Sequence, residues 1–294
     1  MDAVADRRFC RTRWNPPRHR GGSSPANRLR PPIREHLTRP IYWAVAPAVF
    51  RRFSPTDFED PDAAPDQFKI ERVDPCRIRR FTPRVYPPWH DRHESFGRVE
   101  SGDWDTRPYD ETPSYGGPPM DLFYADRIEN GLLYRAINSR FVDGIPWEDT
   151  RFIRRVIEYL EAGREFVWRN CSSREDVLAR CRCLEEMHHS MRRCGCLGHR
   201  ERTPPTRREE GFLRFMEHEI VVDIGRNGEL LLVSGKHRYC LARALGLDEI
   251  PVTFLVRHAK WMETRRALAR GEAPTTPIDD RPDLRDLTES GLPG

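Results

Sequence analysis

The sequence predicts an α+β fold, and three observations carry that expectation. Glu219 to His258 alternates and turns like a strand hairpin followed by a short helix and another strand. The middle of the chain carries apolar residues at helical spacing. The first 66 residues carry arginine, proline and the run Gly21-Gly22-Ser23-Ser24 instead of a core-forming pattern, so they are expected to form a largely disordered arm. At 294 residues, with 37% hydrophobic content and a mean hydropathy of −0.75, the chain suits one large or two ordinary domains.

Folded structure is expected from about Phe68. Phe68 to Val73 alternates apolar and polar residues as a half-buried strand does, and Asp74-Pro75 ends it. Gly97 to Asp105 reads as a turn-rich segment around a buried Trp104, and the proline-rich stretch to Pro119 as loop. Phe152, Ile153, Val156, Ile157 and Leu160 then recur at helical spacing after Trp147-Glu148-Asp149-Thr150 and before Gly163. Ser172 or Ser173 caps a second helix carrying Val177, Leu178 and Leu184. In the hairpin, Ile220, Val222 and Ile224 alternate with Val221 and Asp223, Asn227-Gly228 supplies the tight turn, and Leu230 to Val233 returns. Ser234-Gly235 starts a helix that Gly246 stops, and Ile250 to Val256 is the next strand. A short helix, Trp261 to Ala269, precedes a polar tail over 263–294.

Charge separates the arm from the body. Residues 1–40 hold ten arginines against Asp2, Asp6 and Glu35, so the arm is +7 in a chain whose total is +4. Any nucleic-acid binding is therefore expected there, weak and sequence-independent. Ile41-Tyr42-Trp43 and Val49-Phe50 form an amphipathic anchor. The stretch 41–50 is too short to cross a bilayer and contains Pro47, and the N-terminus has no secretory pattern, so a cytoplasmic protein with reduced thiols is expected. Cys181, Cys183, Cys194 and Cys196, with His188, His189 and His199, suggest a metal site only weakly, because one residue between paired cysteines is tight for tetrahedral zinc. No metal ligand is assigned.

The chemistry is expected at residues 235–238. A helix N-terminus exposes unpaired N–H groups, Gly235 clears their approach, and Lys236, His237 and Arg238 add cationic donors suited to a phosphate. The alternative is a glycine serving the turn, with Arg238 paired to a carboxylate such as Asp223 or Glu229.

Gly235-Lys236-His237-Arg238-Tyr239-Cys240-Leu241-Ala242, then Gly246-Leu247 and Ile250-Pro251-Val252, resembles the phosphate box of the ParB/sulfiredoxin superfamily. GRVESGDWD and the span from Phe141 to Cys171 resemble an uncharacterised ParB-like group of halophilic archaea. The resemblance implies a small mixed sheet within 67–262, started by Val73 to Ile78, with a helical insertion at about 120–200. It also implies nucleotide binding (ATP, ADP or CTP, with or without Mg) through Gly235, Lys236, His237 and Arg238. Lys236 stands at the sulfiredoxin cysteine position, which excludes sulfinic-acid repair, and Cys240 replaces the second arginine of the ParB box.

Two functions follow from that resemblance. One is an ATP- or ADP-dependent phosphotransferase acting on a small hydroxyl substrate, with Asp103 and Asp105 as catalytic carboxylates because residues two apart in an extended segment face one side. The other is a non-catalytic nucleotide-sensing or DNA-associated regulatory protein.

Overall fold

The computed structural model describes residues 35–53, 56–90, 92–203, 211–272 and 281–289. The expected disorder of residues 1–34 lies outside them. Six strands form one mixed sheet: β1 (Ile70–Val73), β2 (Ile78–Phe81), β3 (Arg98–Glu100), β4 (Ile220–Ile224), β5 (Leu230–Ser234) and β6 (Ile250–His258). The order is β1-β6-β4-β5-β2, and β3 extends the β1 edge by pairing with the C-terminal half of β6. The pairs β2/β5, β3/β6 and β4/β6 are parallel, whereas β4/β5 and β1/β6 are antiparallel.

Every residue of β4, β5 and β6 is buried, as strands covered on both faces must be. Ile220, Val222, Ile224, Leu230 and Leu232 face a helical layer. That layer comprises α2 (Met120–Phe123), α3 (Leu132–Phe141), α4 (Arg151–Glu161), α5 (Arg174–Cys194) and α8 (Lys236–Ala244). Val221, Leu231 and Val233 face the opposite side, packed on Trp104 and on α1 (Glu35–Phe53) and α7 (Phe212–Met216). Between the layers' chain segments lies α6 (His199–Arg202).

Local chemistry sets the boundaries as expected in the middle of the chain. The Thr150 hydroxyl accepts from the Ile153 N–H to start α4, and Gly163 at φ +75° follows its end. Ser173 accepts from Asp176 to start α5, while Asp176 accepts from the Ser172 N–H in return. Gly246, at φ +63°, closes α8.

Four expectations are corrected. The β4–β5 turn is not a two-residue Asn-Gly turn: Gly228 alone has positive φ, its N–H donates to the Gly225 carbonyl, and Gly225 N–H donates to the Glu229 carbonyl. That is a three-residue loop with a glycine bulge. The GRVESGDWD segment contains β3, which three residues are too few to announce by periodicity. The part of the expected arm from residue 35 contains the 19-residue α1, which continues through Pro40 and Pro47. Proline in a helix interior costs about 3 kcal/mol, and the docking of Trp43, Ala46 and Phe50 against Phe212 and Phe215 opposes that cost.

The fourth correction concerns the C-terminal tail. Helix α9 (Ala259–Ala269) leads on, and residues 281–289, including α10 (Arg285–Glu289), dock on the body. Asp283 is buried between Arg257 (2.6 Å) and Arg265 (3.4 Å) and accepts from the Trp261 indole at 2.9 Å. Leu284 joins the main core beside it. A charged stretch thus packs as structure because two of its carboxylates, Asp283 and Asp286 (2.7 Å from Arg265), balance two fully buried arginines.

Candidate functional site

Strand β5 ends at Ser234, and Gly235 takes φ +84° at the N-terminus of α8. A Cβ there would lie 2.9 Å from Ile220 Cγ1 and 3.0 Å from Ile220 Cα. Glycine is therefore required by conformation and by the close passage of β4. Because β2 runs parallel to β5, the loop leaving the end of β2 arrives at the same edge and brings Trp89 to it.

Lys236 extends between aromatic faces. Its Nζ lies 4.5 Å from the centre of the Trp89 ring and 3.6 Å from that of Phe123 on α2. Beside it, His237 Nε2 accepts from the Trp168 indole N–H at 3.0 Å, so the neutral ring carries its hydrogen on Nδ1. Arg180 of α5 lies over the Trp168 ring, 4.9 Å from its centre. Arg169 adjoins both and stands at φ +53°, a conformation rare for a side-chain-bearing residue.

Two cations of this cluster, Lys236 and Arg180, sit in a buried setting among the described residues. Burial, with Arg180 and Arg169 nearby, holds the Lys236 amine well below the usual lysine range. Burial and the same neighbours hold His237 neutral, and burial with Arg169 lowers Arg180. The Arg180 Nε is buried with no hydrogen-bond partner. Among the described residues no carboxylate pairs with Lys236 or Arg180. The first N–H groups of α8, at the same end of the helix, have no acceptor within it.

Arg238 departs from the sequence expectation. Its guanidinium turns to the start of β4, donates to the His218 carbonyl and lies 3.9 Å from the Glu219 carboxylate. Glu219 is itself fixed by accepting from the His199 and Arg200 N–H groups at 2.7 and 2.8 Å. Arg238 is thus a buried tie between α8, β4 and the start of α6. Its partner is Glu219, not Asp223 or Glu229. Asp223 is buried with Thr82 (2.7 Å) and Arg84 (3.3 Å), and accepts from the Val256 N–H at the bulge in β6. Glu229 pairs with Arg80.

Asp103 and Asp105 lie in a turn instead of an extended segment, Asp103 exposed and Asp105 buried, and what brings them together is Arg226. Arg226 reaches Asp103 at 2.8 Å and Asp105 at 2.7 Å, and its own N–H donates to Asp105. Burial raises the Asp105 pKa, yet the Arg226 hydrogen bonds outweigh it and hold the carboxyl below its usual range. His258 lies 3.7 Å away. The pair locks the tip of the β4–β5 hairpin, and Gly235 stands beyond the other end of β5, about 17 Å from Leu230 at about 3.3 Å per residue. The structure does not bring the two carboxylates to the box.

Trp89, Phe123, Trp168, Arg169 and Arg180 complete the cluster and were not legible in the sequence. They come from separate loops and helices, and only the WRN stretch at 168–170 pairs an aromatic with a cation in a way that could have drawn attention. Of the cysteines, Cys181 points into the core and Cys196 is buried. Among the described residues no three His, Cys, Asp or Glu side chains gather as a metal site. Two shallow clefts lie elsewhere, one of about 140 Å3 lined by Thr82, Arg107 and Tyr124. The other, of about 340 Å3, is lined by Cys76, Arg243 and Asp248. No protein-family profile, curated protein or solved structure matches the chain.

Proposed function

We propose that the protein binds a phosphate group, most naturally that of a nucleotide such as ATP, ADP or CTP, at the N-terminus of α8, and that it senses this ligand without transferring the phosphate. One observation carries the reading: Lys236 and Arg180 come together at the N-terminus of α8 with no carboxylate among the described residues paired to either. Burying cations is costly unless a charge of opposite sign arrives. An oxyanion supplies that charge, and Lys236, His237 Nδ1 and Arg180 supply donors around it. The resemblance of residues 235–242 to the ParB/sulfiredoxin box points the same way and selects a nucleotide over other anions.

Sensing is favoured over phosphotransfer by the position of the acids. Asp103 and Asp105 are committed to Arg226 at the far end of β5, so no described carboxylate is placed to act as base at the box. The donor set is cationic and aromatic, which suits a phosphate held without a protein-bound Mg ion.

Thermal shift of the full chain with ADP, ATP, CTP and inorganic phosphate, each with and without Mg, tests this. Saturation at about 100 times Kd stabilises a protein by about 2.7 kcal/mol, so at least one nucleotide should raise Tm, and Lys236→Met should abolish the rise. No shift with any of them, or an equal shift in Lys236→Met, contradicts the assignment. Release of a new nucleotide product during incubation contradicts the sensing role.

A further inference from the structure

Helix α1 turns one face to the body and the other to solvent. Trp43 and Ala46 are buried and Phe50 packs with them against Phe212 and Phe215. The opposite arc carries Ile41, Val45 and Val49, one helical turn apart, at 65, 48 and 46% exposure. Ala44 and Ala48 beside them are also exposed, and Tyr42 borders the stripe at 37%. From Ile41 to Phe50 there is no charged side chain, so nearly three turns of solvent-facing helix are apolar.

The ends of this stripe are strongly basic. Arg51, paired with Asp66 at 2.6 Å, and the exposed Arg52 follow it, and in the sequence residues 1–40 hold ten arginines against three acids. Nucleic acid would be served by the arginines but gains nothing from Ile41, Val45 and Val49. A second copy of the chain could cover the stripe, but would bring an equal density of arginine against it. An anionic bilayer satisfies both features at once. Apolar side chains enter the headgroup boundary and the basic charge meets lipid phosphates, while Tyr42 at the edge of the stripe stays tied to the body by accepting from the Phe212 N–H at 3.0 Å. The helix is suited to lying on the bilayer, since no described helix is long and apolar enough to cross one.

We infer that α1, through Ile41, Val45 and Val49, docks the protein onto bilayers whose anionic lipids answer the +7 charge of the sequence before it. The surface is on the opposite layer of the sheet from α8, so this inference is independent of the phosphate site.

Co-sedimentation of the full chain with phosphatidylcholine vesicles, with and without 30% phosphatidylglycerol, tests it. Binding should require the anionic lipid and fall when salt is raised. Val45→Glu/Val49→Glu should weaken it by at least about tenfold, on the scale of two exposed apolar side chains lost from the interface. Val45→Gln/Val49→Gln, which leaves the net charge unchanged, should weaken it in the same direction, so loss of apolar contact and charge repulsion are separated. Circular dichroism checks that each variant keeps its fold, and light scattering reports the mass of the wild-type chain. Failure to bind anionic vesicles, or undiminished binding by the Gln variant, overturns the inference. So does a wild-type dimer that the same substitutions dissociate, because the stripe is then covered by a second copy.

Discussion

Lys236 is one of only three lysines in the chain, beside Lys69 and Lys260, which makes its chemistry separable. Lys69 is ion-paired to Glu71 at 2.6 Å, whereas Lys236 has aromatic rings and cations around it. Its folded pKa lies well below the unfolded value near 10.4, so between those two values the unfolded chain binds a proton that the folded chain does not. That difference destabilises the fold at neutral pH and vanishes as pH rises to about 10.4. Lys236→Met should therefore be more stable than wild type at pH 7, with the advantage shrinking by up to about 1.4 kcal/mol per pH unit on the way to pH 10. Urea midpoints of both proteins at pH 7 and 9.5 measure it, and a constant difference would show that Lys236 is protonated in the fold. Arg238 should behave in the opposite way. Arg238→Ala leaves Glu219 buried beside a lost partner and should cost about 3–5 kcal/mol of stability, whereas a role in ligand contact alone would leave the urea midpoint unmoved.

At the scale of the element, the unit β4–β5–α8–β6 was readable because each boundary has a chemical marker. Gly235 and Gly246 mark the two ends of α8, and both take positive φ. Gly235→Ala places a methyl carbon 2.9 Å from Ile220 Cγ1 at a φ of +84° and should cost about 1–3 kcal/mol. Gly246→Ala meets nothing within 4 Å and pays only the backbone strain, so it should cost clearly less. Denaturant melts of the pair check the ordering, and equal losses would show that the approach of β4 is not tight. Elements without such markers were not readable. Helix α1 carries Pro40 and Pro47, which argue against a helix, and only its packing on α7 reveals why it forms. Strand β3 is three residues long and exists because β6 offers an edge.

Across the whole molecule, what escapes the sequence is long-range. Gly235, Lys236 and His237 could be picked out as a phosphate box from a contiguous motif, but Trp168, Arg169 and Arg180 reach it only because α5 and the preceding loop pack over α8. Arg238 looked like a ligand donor because Glu219 lies 19 residues away and on another element. The C-terminal segment looked like solvent-borne tail because Asp283 and Asp286 in sequence say nothing of the two buried arginines they meet. Asp283→Asn should cost about 3–5 kcal/mol, since Arg257 and Arg265 stay buried with one fewer negative charge. The Asp283 carboxyl is held below its usual range despite burial, because both arginines favour its charged form. Its contribution is present above the unfolded pKa near 3.9 and is lost as pH falls through the lower folded value. The deficit of the Asn variant should accordingly be constant from pH 5 to 8 in urea melts, and a deficit that grows over that range would contradict the ion network.

Isothermal titration of ADP into the full-length protein at pH 7, in two buffers of different ionisation enthalpy, tests the phosphate site most directly. An anion arriving beside Lys236 offsets the burial that lowers its pKa, so the account predicts that binding raises that pKa, with net proton uptake wherever the free amine is partly deprotonated. It also predicts that Lys236→Met loses most of the affinity and all of the uptake, while Asp103→Asn binds as wild type does. Binding that takes up no proton and survives Lys236→Met would contradict it.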